Sequence, residues 1–147
     1  MLTLYQQRLR PWMRISIVVL WAALIWVLSS QDGDSAPSGA FSRIVWNGGH
    51  VVVFGVLAGL IMLSFQGNMA VRFRLAVATA VFYGAVDELH QSFVPGRSMD
   101  LWDLCSDGLG AGLFSCTAWW LLTDEPRPRA WILPLAILAL CSACMAE

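Results

Sequence analysis

The sequence has no lysine and little charge of either sign. Only 13% of its 147 residues are charged, compared with about 25% in an average soluble domain, whereas 58% are hydrophobic. The formal net charge of −1 gives no indication of a basic surface for nucleic acid. A soluble chain of this length could not hide so much apolar surface, because small domains bury a smaller fraction of their surface. We therefore expect a lipid bilayer to surround the protein.

The sequence also lacks a convincing cysteine motif. Its four cysteines, Cys105, Cys116, Cys141 and Cys144, all fall in apolar stretches. We interpret them as small buried hydrophobic residues. Cys141 and Cys144 form a C-x-x-C pair, but there is no second pair and no flanking βαβ pattern, so a zinc or redox site is weakly supported.

Long apolar runs make up most of the chain. A helix needs about 20 apolar residues to span a bilayer. The runs cover residues 12–28, 45–65, 71–93, 101–122 and 131–145. They do not alternate with period two, so we expect no strands. The sequence predicts an all-α, multi-pass transmembrane bundle with four core helices and a short fifth, in a single membrane domain over residues 1–147.

Glycines at helical spacing predict close packing within this bundle. Gly55 and Gly59 lie four residues apart in the second run. Gly108 and Gly112 have the same spacing in the fourth run, with Gly110 between them. Small residues at this spacing let helix backbones approach each other in lipid.

The arginines predict the orientation of the helices. Seven of the nine fall before or at the start of the first run, between the second and third runs, or between the fourth and fifth. Only Arg43 and Arg97 fall on the other side. Basic loops stay in the cytoplasm, so the N-terminus is predicted to be cytoplasmic and residues 30–44 and 94–100 to face outward. An inner membrane is the predicted location.

A cleaved signal peptide is the alternative for the first run. Its preceding arginines could form the basic region, and Ser35-Ala36 could lie near a cleavage site. The bulky Trp21 and Trp26 and the absence of a clear small-x-small site favour a retained helix.

Ionisable residues gather at three predicted helix ends on the outer side. Such residues are costly inside a membrane and need a partner or a purpose. The start of the second helix contributes His50, the end of the third contributes Asp87, Glu88, His90 and Gln91, and the start of the fourth contributes Asp100, Asp103 and Asp107. Between the third and fourth helices, Pro95-Gly96 suits a type II turn before Arg97.

Helical spacing predicts that these residues line one cavity. Asp87, His90 and Gln91 have i, i+3 and i+4 spacing, and the three aspartates of the fourth helix also share a face. Structural roles are the alternatives. Asp100 or Ser98 can cap the fourth helix, with Asp103 in its first turn, and His50 alone can be an interfacial polar residue. Arg97 can clamp a carboxylate in two parallel hydrogen bonds.

The number of carboxylates favours a functional role. Five carboxylates face one arginine and two histidines, so they must be protonated, pair with histidinium or hold a cation. The candidates for acid–base chemistry are His50, Asp87, Glu88 and His90. A divalent metal, which could in turn hold a phosphate, has His50, Asp87, Asp103 and Asp107 as candidate ligands. Gln91, Arg97, Asp100 and Asp103 are candidates for ligand binding. No serine or cysteine is convincingly placed as a nucleophile.

Several of these motifs together resemble the VanZ-like family of bacterial integral membrane proteins. The motifs are His50-x-x-x-Phe54, the run Asp87-Glu88-x-His90-Gln91-x-Phe93-x-Pro95-Gly96-Arg97, Asp103, and Gly108-x-Gly110-x-Gly112. The resemblance covers about residues 12–122 and is most specific over 87–112, with a C-terminal helix at 131–146 outside it. The family takes its name from a protein that lowers sensitivity to the glycopeptide teicoplanin. The resemblance therefore implies an association with the cell envelope, but not a particular reaction.

Two functional hypotheses follow. The first is an envelope-facing membrane protein that binds or processes a lipid or lipid-linked precursor, with the polar head among the residues named above. The second is a structural or scaffold protein whose polar cluster is a static hydrogen-bond network. A small transporter is disfavoured, because the cytoplasmic half of the helices has no matching ionisable residues to complete a polar path.

Overall fold

The computed structural model describes residues 9–32, 40–123 and 126–145, and within these ranges the chain is all-helical. The five helices are α1 (Pro11–Ser29), α2 (Ala40–Ser64), α3 (Met69–Gln91), α4 (Leu101–Thr123) and α5 (Pro126–Met145). No strand occurs in the described ranges, so the predicted all-α class is confirmed there. Each helix coincides with one of the five apolar runs.

Two helices begin five residues before their apolar runs. α2 begins at Ala40 rather than at residue 45, and α5 begins at Pro126 rather than at residue 131. The first turn of α5 contains prolines and arginines, which interrupt the apolar pattern. Proline is tolerated in a first turn because the N–H groups there have no partner within the helix.

α4 lies at the centre of the bundle. It packs against α2, α3 and α5, whereas α1 packs against α2 and touches α3. The core formed by these contacts contains many small side chains. Its buried members are Ile25, Phe54, Leu57, Ala58, Ile61, Met62, Ala76, Ala80 and Ala111. The small side chains let the helices approach closely, so the polar ends of neighbouring helices are brought together.

The predicted glycine contacts are confirmed at two positions between α2 and α4. A Cβ added to Gly110 would collide with the backbone carbonyl of Val51, and one added to Gly55 would collide with the ring of Phe114. No atom lies within 4 Å of such a Cβ at Gly59. Among the glycines of the two motifs, Gly55 and Gly110 are therefore the ones at which the helix packing leaves no room for a side chain.

Much of the apolar surface of the bundle remains exposed. α1 and α3 are long and apolar enough to cross a membrane, yet only 17% and 22% of their most apolar 18-residue windows are buried. Core helices of a soluble protein would be mostly buried. The apolar parts of α2 and α5 are shorter and cover residues 48–64 and 128–142. α1 lies near the N-terminus, where a signal sequence would have the same length and hydropathy. In the structure, two hydrogen bonds join α1 to the bundle. Trp21 of α1 donates to the Val53 carbonyl, and Tyr83 of α3 donates to the Ala22 carbonyl of α1.

The cysteine prediction is wrong for three of the four residues. Cys116 is buried, but Cys105, Cys141 and Cys144 are exposed. An apolar stretch does not distinguish a helix face that packs against a neighbour from one that faces lipid. These three cysteines lie on faces that no described helix covers.

Two arginines are buried at the end of α2 that lies away from His50. Arg72 donates through Nε and Nη2 to the Met62 carbonyl, at 2.9 and 2.6 Å. Arg14 donates through Nη1 to the Ser64 carbonyl at 3.2 Å. The last carbonyls of a helix lack partners within it and carry partial negative charge, so cationic donors stabilise them. Arg14 and Arg72, which were used above to predict the orientation of the helices, therefore also donate to the last carbonyls of α2.

We expect Arg72→Ala to lower the free energy of unfolding by about 2 kcal/mol, because it leaves the Met62 carbonyl without charged donors. Arg74→Ala is the matched control, since Arg74 is exposed and its Nε bonds to Ala70 in its own helix. The control should change stability by less than about 0.5 kcal/mol. Unfolding in detergent, followed by circular dichroism, measures both. Equal losses for the two variants would contradict the assigned role.

Gly110→Ala should destabilise the protein by about 1–3 kcal/mol, because the added methyl group forces α2 and α4 apart. Gly59→Ala should be neutral or stabilising by up to about 1 kcal/mol, because alanine favours helix and the site is open. The same unfolding measurement compares the two. A Gly110→Ala protein as stable as the Gly59→Ala protein would show that the predicted close contact is absent.

Candidate functional site

The turn between α3 and α4 forms one edge of the candidate site. Gly96 has a φ of 73°, and the Arg97 N–H donates to the Val94 carbonyl at 3.2 Å. Glycine adopts positive φ without strain, as the third position of a type II turn requires. The Pro95-Gly96 turn predicted from the sequence is therefore present.

Asp100 links this turn to both flanking helices. Its Oδ1 accepts a hydrogen bond from the Trp102 N–H at 2.8 Å, which caps the start of α4. The backbone N–H of Asp100 donates to Glu88 Oε2 at 2.8 Å. The capping alternative for Asp100 is thus what the structure shows, and Glu88 attaches the start of α4 to the end of α3.

Four ionisable residues from three helices meet beside this turn; we call them the histidine–carboxylate cluster (His50, Glu88, Asp103 and Asp107). His50 Nδ1 lies 3.1 Å from Asp107 Oδ1, and His50 Nε2 lies 3.9 Å from Asp103 Oδ2. His50, Glu88 and Asp103 each place one potential ligand atom within 4.8 Å of the others. The tertiary structure therefore joins polar groups of α2, α3 and α4, as the predicted topology requires.

Gly84 makes room for the most deeply buried carboxylate of the cluster. Asp107 is only 1% exposed. A Cβ on Gly84 of α3 would lie 2.6 Å from Asp107 Oδ2, too close for an ordinary contact. Sequence reasoning missed Gly84. The available signal was a glycine one turn before Asp87 in a helix whose end is polar.

A cavity of about 280 Å³ lies next to the cluster, and we call it the amphipathic cavity. Its polar lining includes His50, Asp87, Gln91 and Arg97, and its apolar lining includes Ile25, Leu28, Val53 and Phe54. Ser29, Gln31 and Gly49 complete it. His50 belongs both to the cavity lining and to the cluster. The contribution of α1 was not predicted, because its apolar residues look the same in the sequence whether they face a cavity or lipid.

Asp87 and Gln91 form the buried polar wall of the amphipathic cavity. Gln91 donates through Nε2 to Asp87 Oδ2 at 2.8 Å, and the two side chains are 3% and 1% exposed, respectively. Asp87 Oδ1 has no hydrogen-bond partner among the described residues. Asp87 therefore retains one acceptor oxygen that a donor entering the cavity could use.

His90 lies apart from the other predicted polar residues. Its ring stacks on Trp26 with centroids 3.9 Å apart, and its Nε2 lies 2.9 Å from the Ser30 hydroxyl. Residues three and four positions after Asp87 lie on opposite sides of it, about 100° apart around the helix. Gln91 turns toward Asp87, whereas His90 turns toward α1. The sequence spacing did not distinguish these two directions.

Arg97 lines the amphipathic cavity together with Asp87. The sequence did not determine which carboxylate Arg97 would clamp. In the structure, Asp87 accepts a hydrogen bond from Gln91, and Glu88 accepts one from the Asp100 backbone. Arg97 also interacts electrostatically with Asp103. It therefore supplies positive charge at the boundary between the cavity and the cluster.

A family comparison covers the whole candidate site. The VanZ/LLP1 family model matches residues 8–122, which is 115 of the 147 residues. The match includes every residue of the cluster and of the cavity, whereas α5 lies outside it. A search of the curated proteins and a search of the solved structures each gave no match.

Proposed function

Because the chain belongs to the VanZ/LLP1 family, we propose that it is a multi-pass inner-membrane protein that binds an amphiphile at the cell envelope. The ligand in this proposal is a phospholipid or a lipid-linked envelope precursor. The observation that carries the proposal is the amphipathic cavity, whose mostly apolar lining also includes charged and amide side chains. A lining with a few polar groups among aliphatic and aromatic ones suits a molecule with a polar head and an apolar tail.

The orientation of the proposed spans rests on the two ends of α2. Arg14 and Arg72 contact its C-terminal end, whereas His50 lies 14 residues before Ser64, a rise of about 21 Å along the helix. Basic residues favour the cytoplasmic side. In this proposal the N-terminus is cytoplasmic, and the cluster and cavity lie in the outer half of the membrane.

The polar groups of the cavity suit a phosphate-bearing head. Arg97 can donate paired hydrogen bonds to phosphate oxygens, and a guanidinium suits that geometry better than an ammonium does. The free oxygen of Asp87 can accept from a hydroxyl or amine of the same head. Leu28, Val53 and Phe54 then contact the first carbons of the tail.

The orientation can be tested with reporter fusions. A fluorescent protein fused after Gly67, between α2 and α3, is expected to fluoresce, and a phosphatase fused after Gly96 is expected to be active. Each reporter at the other position is the control and should give no signal. An active phosphatase at Gly67 would reverse the proposed orientation.

Lipid binding can be tested by native mass spectrometry of the purified protein with phosphatidylglycerol and with a polyprenyl phosphate. For whichever of the two lipids wild type binds, the double variant Asp87→Asn, Arg97→Ala should weaken binding at least about 100-fold, since it removes two or more charged hydrogen bonds that each contribute roughly 1.5–3 kcal/mol. The matched control is Asp32→Asn, Arg74→Ala, which changes the same residue types at exposed positions. Equal binding by both double variants would exclude the cavity as the site.

A scaffold role is the second candidate, because two of the carboxylates already have internal donors. Gln91 bonds to Asp87, and the Asp100 N–H bonds to Glu88. If these contacts serve stability alone, the double variant Asp87→Asn, Arg97→Ala should have a lower melting temperature than wild type. Wild-type protein should then also carry no lipid after purification. Lipid that co-purifies with wild type and is lost from a well-folded variant would reject this role.

A further inference from the structure

We infer that His50, Glu88 and Asp103 form a binding site for one divalent transition-metal cation such as Zn²⁺ or Mn²⁺, and that Asp107 orients the histidine. The site lies beside the amphipathic cavity and shares His50 with its lining. One residue comes from each of α2, α3 and α4, with Asp107 also on α4. The ion would therefore join three helices at the end of the bundle where their polar residues meet.

The hydrogen bond of His50 determines which ring nitrogen can bind a metal. Nδ1 lies 3.1 Å from Asp107 Oδ1, and a carboxylate oxygen accepts, so Nδ1 carries the proton. In the neutral ring, the form that binds a metal, Nε2 then presents its lone pair on the side of Asp103. A carboxylate that fixes the tautomer of a ligating histidine in this way is a common feature of metal sites. Asp107 acts here as a positioning residue rather than as a ligand.

The separation between His50 and Asp103 suits a shared ion better than a direct bond. Nε2 and Asp103 Oδ2 are 3.9 Å apart, which is too far for a hydrogen bond. Two ligands that each lie about 2.0–2.2 Å from a zinc ion are separated by roughly 3.0–3.5 Å. A side-chain movement of about half an ångström would bring both atoms to one ion.

Glu88 provides an independent indication of a ligand. Its side chain is only 2% exposed and extends toward His50 and Asp103, yet Oε1 has no hydrogen-bond partner in the part of the chain that the structure describes. Asp103 Oδ1 is likewise buried without a partner there. A buried carboxylate oxygen without a donor is costly, and a bound cation removes that cost.

The donor set points to the class of ion. The imidazole nitrogen suits Zn²⁺ or Fe²⁺, and the two carboxylates also suit Mn²⁺, whereas Mg²⁺ and Ca²⁺ are bound by oxygen ligands. Two ligand carboxylates also neutralise a divalent charge. The negative charge of Asp107 is then close to His50, and Arg97 supplies positive charge near Asp103.

The test is metal binding to the full-length protein in detergent, after chelation and desalting. Calorimetry with Zn²⁺ and loss of the free Mn²⁺ electron paramagnetic resonance signal should each give one ion per chain. Glu88→Gln and Asp103→Asn, which remove one ligand each, should weaken binding at least about 100-fold. Asp107→Asn should weaken it by about 10–100-fold, as expected for a residue that orients a ligand.

The sequence provides a matched histidine control. His90 is the second of its two histidines, and it stacks on Trp26 outside the cluster. His90→Gln should bind Zn²⁺ like wild type, whereas His50→Gln should not. Added Zn²⁺ should also raise the melting temperature of wild type and His90→Gln but not of His50→Gln, which tests the site even if a carboxylate variant folds poorly.

Three results would overturn the inference. The first is the absence of stoichiometric Zn²⁺ or Mn²⁺ binding by wild type. The second is equal Zn²⁺ affinity in the His50→Gln and His90→Gln proteins, which would place the ion elsewhere. The third is Mg²⁺ or Ca²⁺ binding as tight as Zn²⁺ binding, which would exclude a transition-metal site.

Discussion

The close approach of α2 and α4 is the constraint on which the rest of the structure depends. Gly110 lies against the backbone carbonyl of Val51, so the two helices meet with no side chain between them at that point. His50 directly precedes Val51, and Asp107 lies three residues before Gly110. The hydrogen bond between His50 and Asp107 is therefore a consequence of the same backbone contact, and a wider helix separation would remove it.

The two ends of α2 have surroundings of opposite charge. At its C-terminal end, Arg14 and Arg72 donate to carbonyls that the helix itself cannot satisfy. Around His50, carboxylates are gathered and several of their oxygens have no donor in the described structure. The buried arginines are committed to α2 carbonyls, so they do not continue a polar path from the cluster.

The cluster and the amphipathic cavity share His50. The metal site and the lipid site proposed for this protein can nevertheless be tested separately, because their other residues differ. Arg97 and Asp87 face the cavity, whereas Glu88 and Asp103 meet His50 in the cluster. Variants of the first pair therefore report on an amphiphilic ligand, and variants of the second report on a cation. The stacked pair of His90 and Trp26 lies outside both and serves as an internal reference.

The sequence by itself determined the helices, the Pro95-Gly96 turn, the capping role available to Asp100 and the family. These features depend on local patterns: apolar length, the φ preference of glycine and the short reach of a capping side chain. Only the tertiary structure decided that Gln91 rather than His90 faces Asp87, that Gly84 accommodates Asp107, and that α1 lines the cavity. It also decided which cysteines are exposed. Each of these outcomes depends on which neighbouring helix covers a given face, and a chain that is apolar on most faces does not encode that choice in its local pattern.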